Sequence, residues 1–398
     1  MANPAGFRVA GVAAGLKASG ALDMTLALSE RPCVAAGVFT TNLMKAAPVL
    51  LDIERLEGNR EDIRAVVVNT RCANACTGEQ GLANAREMAR VAAAAVGVQP
   101  EQVLVMSTGV IGTHLPMDKI ARGVGLAAAA LGEDWEAAAR GIMTTDTRPK
   151  LASARVETAG GAVTITGIAK GAGMIAPNMA TMLGLICTDA VLTADQAQRL
   201  LSTAAETTFN RIVVDGDMST NDTVLMLANG ASGVVISAQD EAQFAAVLAE
   251  VSRALAQAIV RDGEGATRFI TLEVTGAVDT AAARQIANAV ATSPLVKTAF
   301  YGGDANWGRI VAAAGRAGVP FDADAVRLWI ARGETLADPL LLFENQMPTA
   351  YSEALATEIV RSPEISVRLA VGDGPGSVIV YTCDLSHEYV NVNGSYRS

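Results

Sequence analysis

Apolar positions run along this chain in two rhythms. Ala162-Val-Thr-Ile-Thr166 alternates and is β-branched, as a strand with one buried face requires. Met182-Leu-Gly-Leu-Ile-Cys187 is instead a short unbroken apolar run, as in a strand buried on both faces. Between them Gly171 and Gly173 predict a tight turn, and Pro177 and Asn178 punctuate the approach to the second run. The stretch therefore reads as strand, glycine turn, strand. Lys170 stands just ahead of the turn, and Thr181, behind the small Ala180, stands at the mouth of the second run.

The same patterns predict further strands over 7–16, 33–41, 63–68, 103–107 and 269–274. Residues 365–371 and 378–383 read as two strands paired around Gly372-Asp-Gly-Pro-Gly376. Helical spacing predicts helices from Glu79 to about Val96, Met117 to about Leu131, Trp135 to Ile142, Asp240 to Val260 and Ala281 to about Ala291. Thr193-Ala-Asp-Gln196 is a capping box opening a helix to about Phe209.

A chain of 398 residues is too long for one ordinary core. It implies two lobes or one large layered α/β body. Half of the residues are hydrophobic but few are aromatic, which suits tight helix–sheet packing through Ala and Val. The net charge of −10 argues against a nucleic-acid or anionic-membrane partner. Five cysteines in a chain of this length do not make a disulfide framework. With no signal peptide and no run of about 18 apolar residues to span a bilayer, a cytosolic protein is expected.

Several chemistries are excluded. Cys72 and Cys76 form a lone C-x3-C, with His114 and His387 far off in sequence, which does not make a zinc site. An EF-hand aligned from Asp215 has Thr220 where glycine is needed and Met226 where glutamate is needed. Gly171-Ala-Gly-Met-Ile-Ala176 fits a dinucleotide fingerprint, yet Pro177 and a second apolar run stand where a helix must open. No P-loop lysine, H-E-x-x-H or G-x-S-x-G motif occurs. A hydroxyl at the start of a buried strand, near a lysine and a glycine turn, is a nucleophile setting. Spacing alone nonetheless reads Thr181 more readily as an ordinary β-branched strand residue.

Lys170-Gly-Ala-Gly-Met-Ile-Ala-Pro-Asn-Met-Ala-Thr-Met-Leu183 resembles the signature of the ornithine acetyltransferase family, the bifunctional glutamate N-acetyltransferases of arginine biosynthesis. The resemblance implies self-cleavage between Ala180 and Thr181 into an α chain of residues 1–180 and a β chain of residues 181–398. It implies an α/β fold, a layered α-β-β-α sandwich like that of N-terminal-nucleophile hydrolases. Thr181 is then the nucleophile, and its freed α-amine, titrating at about 7.7–8.0, serves as the base. In Ser107-Thr-Gly-Val-Ile-Gly112 the resemblance assigns the oxyanion hole to Thr108 and Gly109. It assigns substrate binding to Thr144, Thr181, Glu264, Asn393 and Ser398, with Thr145 the nearest competitor to Thr144; charge complementarity adds Lys170, to pair a substrate carboxylate or to keep the nucleophile's surroundings positive, and matches Glu264 to a substrate ammonium. The segment Phe300–Ile310 takes a structural or pocket-lining role. Thr70-Arg71-Cys72 departs from the serine and glycine usual there and receives no role.

The activity implied is acetyl transfer from N-acetylornithine to glutamate through an acetyl-Thr181 intermediate, with no cofactor and with acetyl-CoA as a possible second donor. The implied assembly is α2β2. The competing activity is an N-terminal-threonine aminopeptidase or amidase of the same fold, in which water is the acceptor.

Overall fold

The computed structural model describes residues 2–176 and 182–394, and Ala180, Thr181 and Ser398 lie outside them. The chain forms two compact units. The first is Met1–Asn210 with Asp217–Ile259, and the second is Arg211–Gly216 with Val260–Ser398.

The first unit is built on an eight-stranded sheet that folds over at one long strand, Met24–Phe39. The early half of that strand pairs with Phe7–Val12 and Ile63–Asn69, and the late half pairs with Thr223–Ala228. The register with Ile63–Asn69 breaks between Leu28 and Cys33, where the strand turns from one half of the sheet into the other. Val103–Ser107 extends the first half, running parallel to Ile63–Asn69. The second half continues through Leu183–Thr188 and Gly161–Lys170 to Lys150–Thr158. Leu183–Thr188 is buried at every position, as its unbroken apolar run predicts.

The two-residue period of these strands sorts their side chains into layers. Ala65, Val67, Val103 and Val105 join a core with Met88 and Ala92 of the helix Gly78–Val96 and Ile120 and Val124 of the helix Met117–Ala129. Val66, Val68, Leu104 and Met106 point the other way. They share a second core with Leu183, Leu185, Cys187, Leu225 and Leu227. That second core lies between the two halves of the sheet. Beyond it, a Cβ on Gly167 would come within 2.8 Å of Leu255 in the helix Glu241–Arg261, and Gln198 of the helix Ala194–Thr207 bonds the Gly37 backbone. Helix, sheet, sheet and helix are therefore stacked within this unit alone, which is the layering expected.

The helix Glu241–Arg261 corrects one expectation, because it is long and apolar enough by composition to cross a membrane. Its buried residues Phe244, Leu248, Val251, Leu255 and Ile259 recur at steps of three and four. That stripe is the core face of an amphipathic helix in a folded unit.

The second unit carries a seven-stranded mixed sheet. Its order is Met347–Pro348, Leu340–Glu344, Arg327–Arg332, Glu364–Ala370, Phe269–Gly276, Gly374–Cys383, Ile212–Val213. Ile270, Leu272 and Val274 pack with Val378 and Val380 against Ala283, Ile286 and Val290 of the helix Thr280–Ala291. The expected hairpin around Gly372–Gly376 does not form. Glu364–Ala370 runs parallel to Phe269–Gly276, which also pairs antiparallel with Gly374–Cys383 and so separates the two. Residues 300–310 stop one helix and start another: Pro294–Gly302 ends at Gly303 with φ +70°, and the Asn306 side chain caps Trp307–Gly315.

Candidate active site

The parallel strands Ile63–Asn69 and Val103–Ser107 end together, with Asn69 opposite Ser107. Asn69 braces the loops that leave both strand ends. Its Oδ1 accepts from Ser107 Oγ at 2.6 Å, its Nδ2 donates to the Cys72 carbonyl at 3.0 Å, and its carbonyl accepts from the Thr108 amide at 3.1 Å. Asn221 donates to the carbonyls of Ser107 and Ala73 at 2.9 and 2.6 Å. The chain then turns at Gly109, where φ is +136°. A Cβ there would sit 2.2 Å from the Arg71 carbonyl carbon, so only glycine lets the two backbones pass this closely. The result is a Thr108–Gly109 turn held rigid from both sides, which is what a preorganised oxyanion site needs.

Lys170 reaches this turn from the other half of the sheet. It is the last residue of Gly161–Lys170, it is buried, and its Nζ donates to Thr108 Oγ1 at 3.3 Å. Beneath it lies Asp146, whose Oδ1 accepts from Lys150 Nζ at 2.7 Å and from the Gly171 amide at 2.8 Å. Its Oδ2 accepts from the Thr144 amide at 2.9 Å. Burial alone would raise the Asp146 carboxyl, but Lys170 and Lys150, helped by the Thr144 amide, carry it down to about 2. Thr144 is thus tied through Asp146 to the start of the glycine turn, and Lys17, Lys150 and Lys170 leave this corner of the unit rich in cationic groups.

The strand after the turn is fixed at its mouth. Leu183 pairs with Thr223, and the residue ahead of each strand meets the other: the Met182 amide donates to Asp222 Oδ1 at 2.9 Å. The Asp222 backbone is held in turn, its carbonyl accepting from the Thr40 amide at 2.9 Å.

Glu264 and Asn393 belong to the second unit and meet there, Asn393 Nδ2 donating to Glu264 Oε2 at 2.7 Å. The segment 384–389 docks on the Gly-Glu-Gly turn and the strand start after it. Ser386 Oγ donates to the Gly265 carbonyl at 2.6 Å, and Gly265 has φ +70° with Tyr389 N only 2.5 Å from where a Cβ would lie. Asp384 accepts from Thr267 and Arg268 amides at 2.8 and 2.9 Å. The helix His387–Gly394 comes next and carries Asn393.

Of the residues singled out from sequence, Thr108, Gly109 and Lys170 come together, Thr144 is linked to them through Asp146, and Glu264 and Asn393 form a separate pair. Sequence reasoning missed Asp146, Lys150, Asn69, Asn221 and Asp222. The last two lie in the polar stretch Asp215–Thr223, which the sequence shows is no calcium loop and in which nothing local marks a bracing role.

A family model described as the ArgJ family matches residues 8–398. The arginine biosynthesis bifunctional protein ArgJ of Symbiobacterium thermophilum is 48% identical over 401 residues, covering 99% of this chain and 98% of that one. The protein of the same name from Nitratidesulfovibrio vulgaris is 47% identical over the whole of both chains. Among solved structures, a crystal structure of ArgJ from Bacillus halodurans is 37% identical, with a TM-score of 0.49 over 52% of this chain and 96% of that chain.

Proposed function

The chain belongs to the ArgJ family, and from that premise we propose that it moves an acetyl group from N-acetylornithine to glutamate by a ping-pong mechanism. The protein first cuts itself between Ala180 and Thr181. Thr181 Oγ then attacks the acetyl carbonyl, and its own α-amine takes the hydroxyl proton. Negative charge develops on the carbonyl oxygen opposite the Thr108 hydroxyl and the Gly109 amide, which stabilise it without reorganising. Ornithine leaves, taking the proton back, and the glutamate amine collects the acetyl group from Thr181 through a second tetrahedral intermediate. Thr144, Lys170, Asn393 and Ser398 are the expected substrate contacts, and Glu264 is expected to pair with a substrate ammonium. No cofactor takes part, and the same acyl-enzyme is open to acetyl-CoA as a second donor. The mature assembly is α2β2.

The observation that carries this reading is the buried Lys170–Thr108 contact at a glycine turn that admits no side chain. It joins the strand leading to the Thr181 segment with the turn proposed to receive the oxyanion. The deciding experiment is intact mass under denaturing conditions for wild type and Thr181→Ala, then acetyl-transfer assays with each donor and with water or glutamate as acceptor. Two fragments meeting at Ala180/Thr181 in wild type, one full chain in the variant, and acetyl transfer to glutamate are expected. A well-folded wild type that stays in one piece sinks the mechanism, and hydrolysis without transfer moves the assignment to an amidase.

A further inference from the structure

Arg71 has no part in the chemistry described so far, yet its backbone is built against the Thr108–Gly109 turn. Its carbonyl accepts from the Val110 amide at 3.2 Å, and the next residue, Cys72, is bridged to Thr108 and Val110. A Cβ on Gly109 would lie 2.2 Å from the Arg71 carbonyl carbon and 2.6 Å from its Cα. In this pinned position Arg71 has φ +70°. That is the left-handed region, which glycine enters freely and a long side chain enters only under strain. Such strain persists where the surrounding structure enforces it, and it gathers at functional sites. The side chain gives nothing back to the fold. It is exposed, and its guanidinium has no hydrogen-bond or ion-pair partner among the described residues.

The guanidinium belongs to a corner with an excess of positive charge. Burial lowers the Lys17 ammonium, and Arg71 and Lys170 push it the same way against Asp23 and Asp146. Neither carboxylate is bonded to Arg71. Asp23 accepts from the amides of Ala14, Leu16 and Lys17 at 2.6, 2.6 and 2.9 Å. Asp146 is taken up by Lys150 and by the Gly171 and Thr144 amides. Lys17, Arg71, Lys150 and Lys170 outnumber these two carboxylates, and the corner attracts an anion.

The two expected substrates differ in what they bring to it. Both carry an α-carboxylate beside the α-nitrogen, which suits the buried Lys170 in contact with the turn itself. Glutamate carries a second carboxylate at the end of its side chain, where N-acetylornithine carries an alkyl ammonium. We propose that Arg71 is a specificity residue for the acetyl acceptor: its guanidinium, at the exposed edge of the Thr108–Gly109 turn, binds the side-chain carboxylate of an amino dicarboxylic acid. The planar fork of a guanidinium matches a carboxylate with two parallel hydrogen bonds. The proposal rests on the acetyl-transfer reading and adds the choice of acceptor to it.

The test uses full-length Arg71→Gly and Arg71→Ala beside wild type, with N-acetylornithine as donor and L-glutamate as acceptor. In a ping-pong scheme kcat/KM for each substrate reports its own half-reaction. Loss of a charge-assisted contact should lower kcat/KM for glutamate roughly tenfold or more in both variants, with kcat/KM for N-acetylornithine within about twofold of wild type. Tm of Arg71→Gly should match or exceed wild type, because glycine relieves the left-handed backbone. Arg71→Ala keeps that strain and reads the guanidinium alone. Wild-type kcat/KM for glutamate in the two variants overturns the proposal. An equal loss on both substrates overturns it too, as the mark of an α-carboxylate contact or a displaced turn. A fallen Tm in Arg71→Gly, or its failure to fold, marks a structural side chain and overturns it equally. A wild type that does not acetylate glutamate from N-acetylornithine removes the transfer reading and the acceptor with it. Wild-type transfer with unchanged variants removes only the role of Arg71.

Discussion

At the scale of single residues, two glycines of one turn separate two physical effects. Gly109 and Gly112 both have positive φ, but only at Gly109 would a Cβ strike backbone, the Arg71 carbonyl carbon at 2.2 Å. Nothing lies within 4 Å of a Cβ at Gly112. Gly112→Ala should therefore cost only the backbone strain, about 1 kcal/mol. Gly109→Ala must also move a strand end and should lose several times that, abolishing acetyl transfer; urea denaturation and activity of the two variants check this. Asp146 offers a pH test. Its folded value of about 2 lies below the roughly 3.9 of an unfolded aspartate. The group therefore contributes stability that is full above about pH 5 and fades as pH falls toward 2, on the order of 2 kcal/mol. Asp146→Asn should be destabilised by about 3 kcal/mol at pH 7, because Lys150 and Lys170 lose their buried partner. The gap to wild type should narrow as pH falls toward 2, and a constant gap in urea midpoints across that range would count against the account. None of this was legible from the aspartate itself, which stands in an ordinary polar stretch, Met143-Thr-Thr-Asp-Thr147. Lys170 was legible only as a lysine near a glycine turn; its partner Thr108 is 62 residues away.

At the scale of elements, local pattern was readable and pairing was not. The helices Gly78–Val96, Met117–Ala129, Trp135–Gly141 and Thr280–Ala291 sit within a residue or two of their expected bounds, because their apolar spacing needs no knowledge of the partner face. The strand Lys150–Thr158 is not legible, since most of it is only half-buried and its sequence lacks alternation. Glu364–Ala370 and Gly374–Cys383 are legible as strands but do not pair with each other, because a third strand from nearly a hundred residues earlier enters between them. Proximity in sequence favours a hairpin; the core decided otherwise. The docked helix His387–Gly394 gives an element-scale prediction. A side chain at Gly265 would meet Tyr389 N at 2.5 Å and Ser386 Oγ at 2.7 Å. Gly265→Ala should thus displace the helix carrying Asn393 and lower kcat/KM roughly tenfold or more, since a small misplacement of a binding group is costly. The unit's core lies elsewhere, so Tm should fall by only a few degrees. An unchanged kcat/KM would detach the chain end from substrate binding.

At the scale of the whole molecule, the order of the first unit's sheet matters most. Leu183–Thr188 and Thr223–Ala228 lie side by side, with Gly161–Lys170 beyond one and Met24–Phe39 beyond the other. Two strands from after the proposed cut are flanked on both edges by strands from before it. The α and β products of that cut would share one sheet and one core, so cleavage should leave the particle intact until it is denatured. The uncut Thr181→Ala chain should then refold at a rate independent of protein concentration, whereas the cut protein should refold more slowly on dilution. Equal, concentration-independent rates would show that the products fold separately. The tether from Lys170 to Leu183 keeps the two ladders at an effective concentration in the millimolar range only while it is whole. Once it is severed, the information that assembled the sheet is still present in the sequence, but the means of using it within one molecule is gone. A protein cut there would be made once: what heat or denaturant took apart, a dilute solution would be slow to restore.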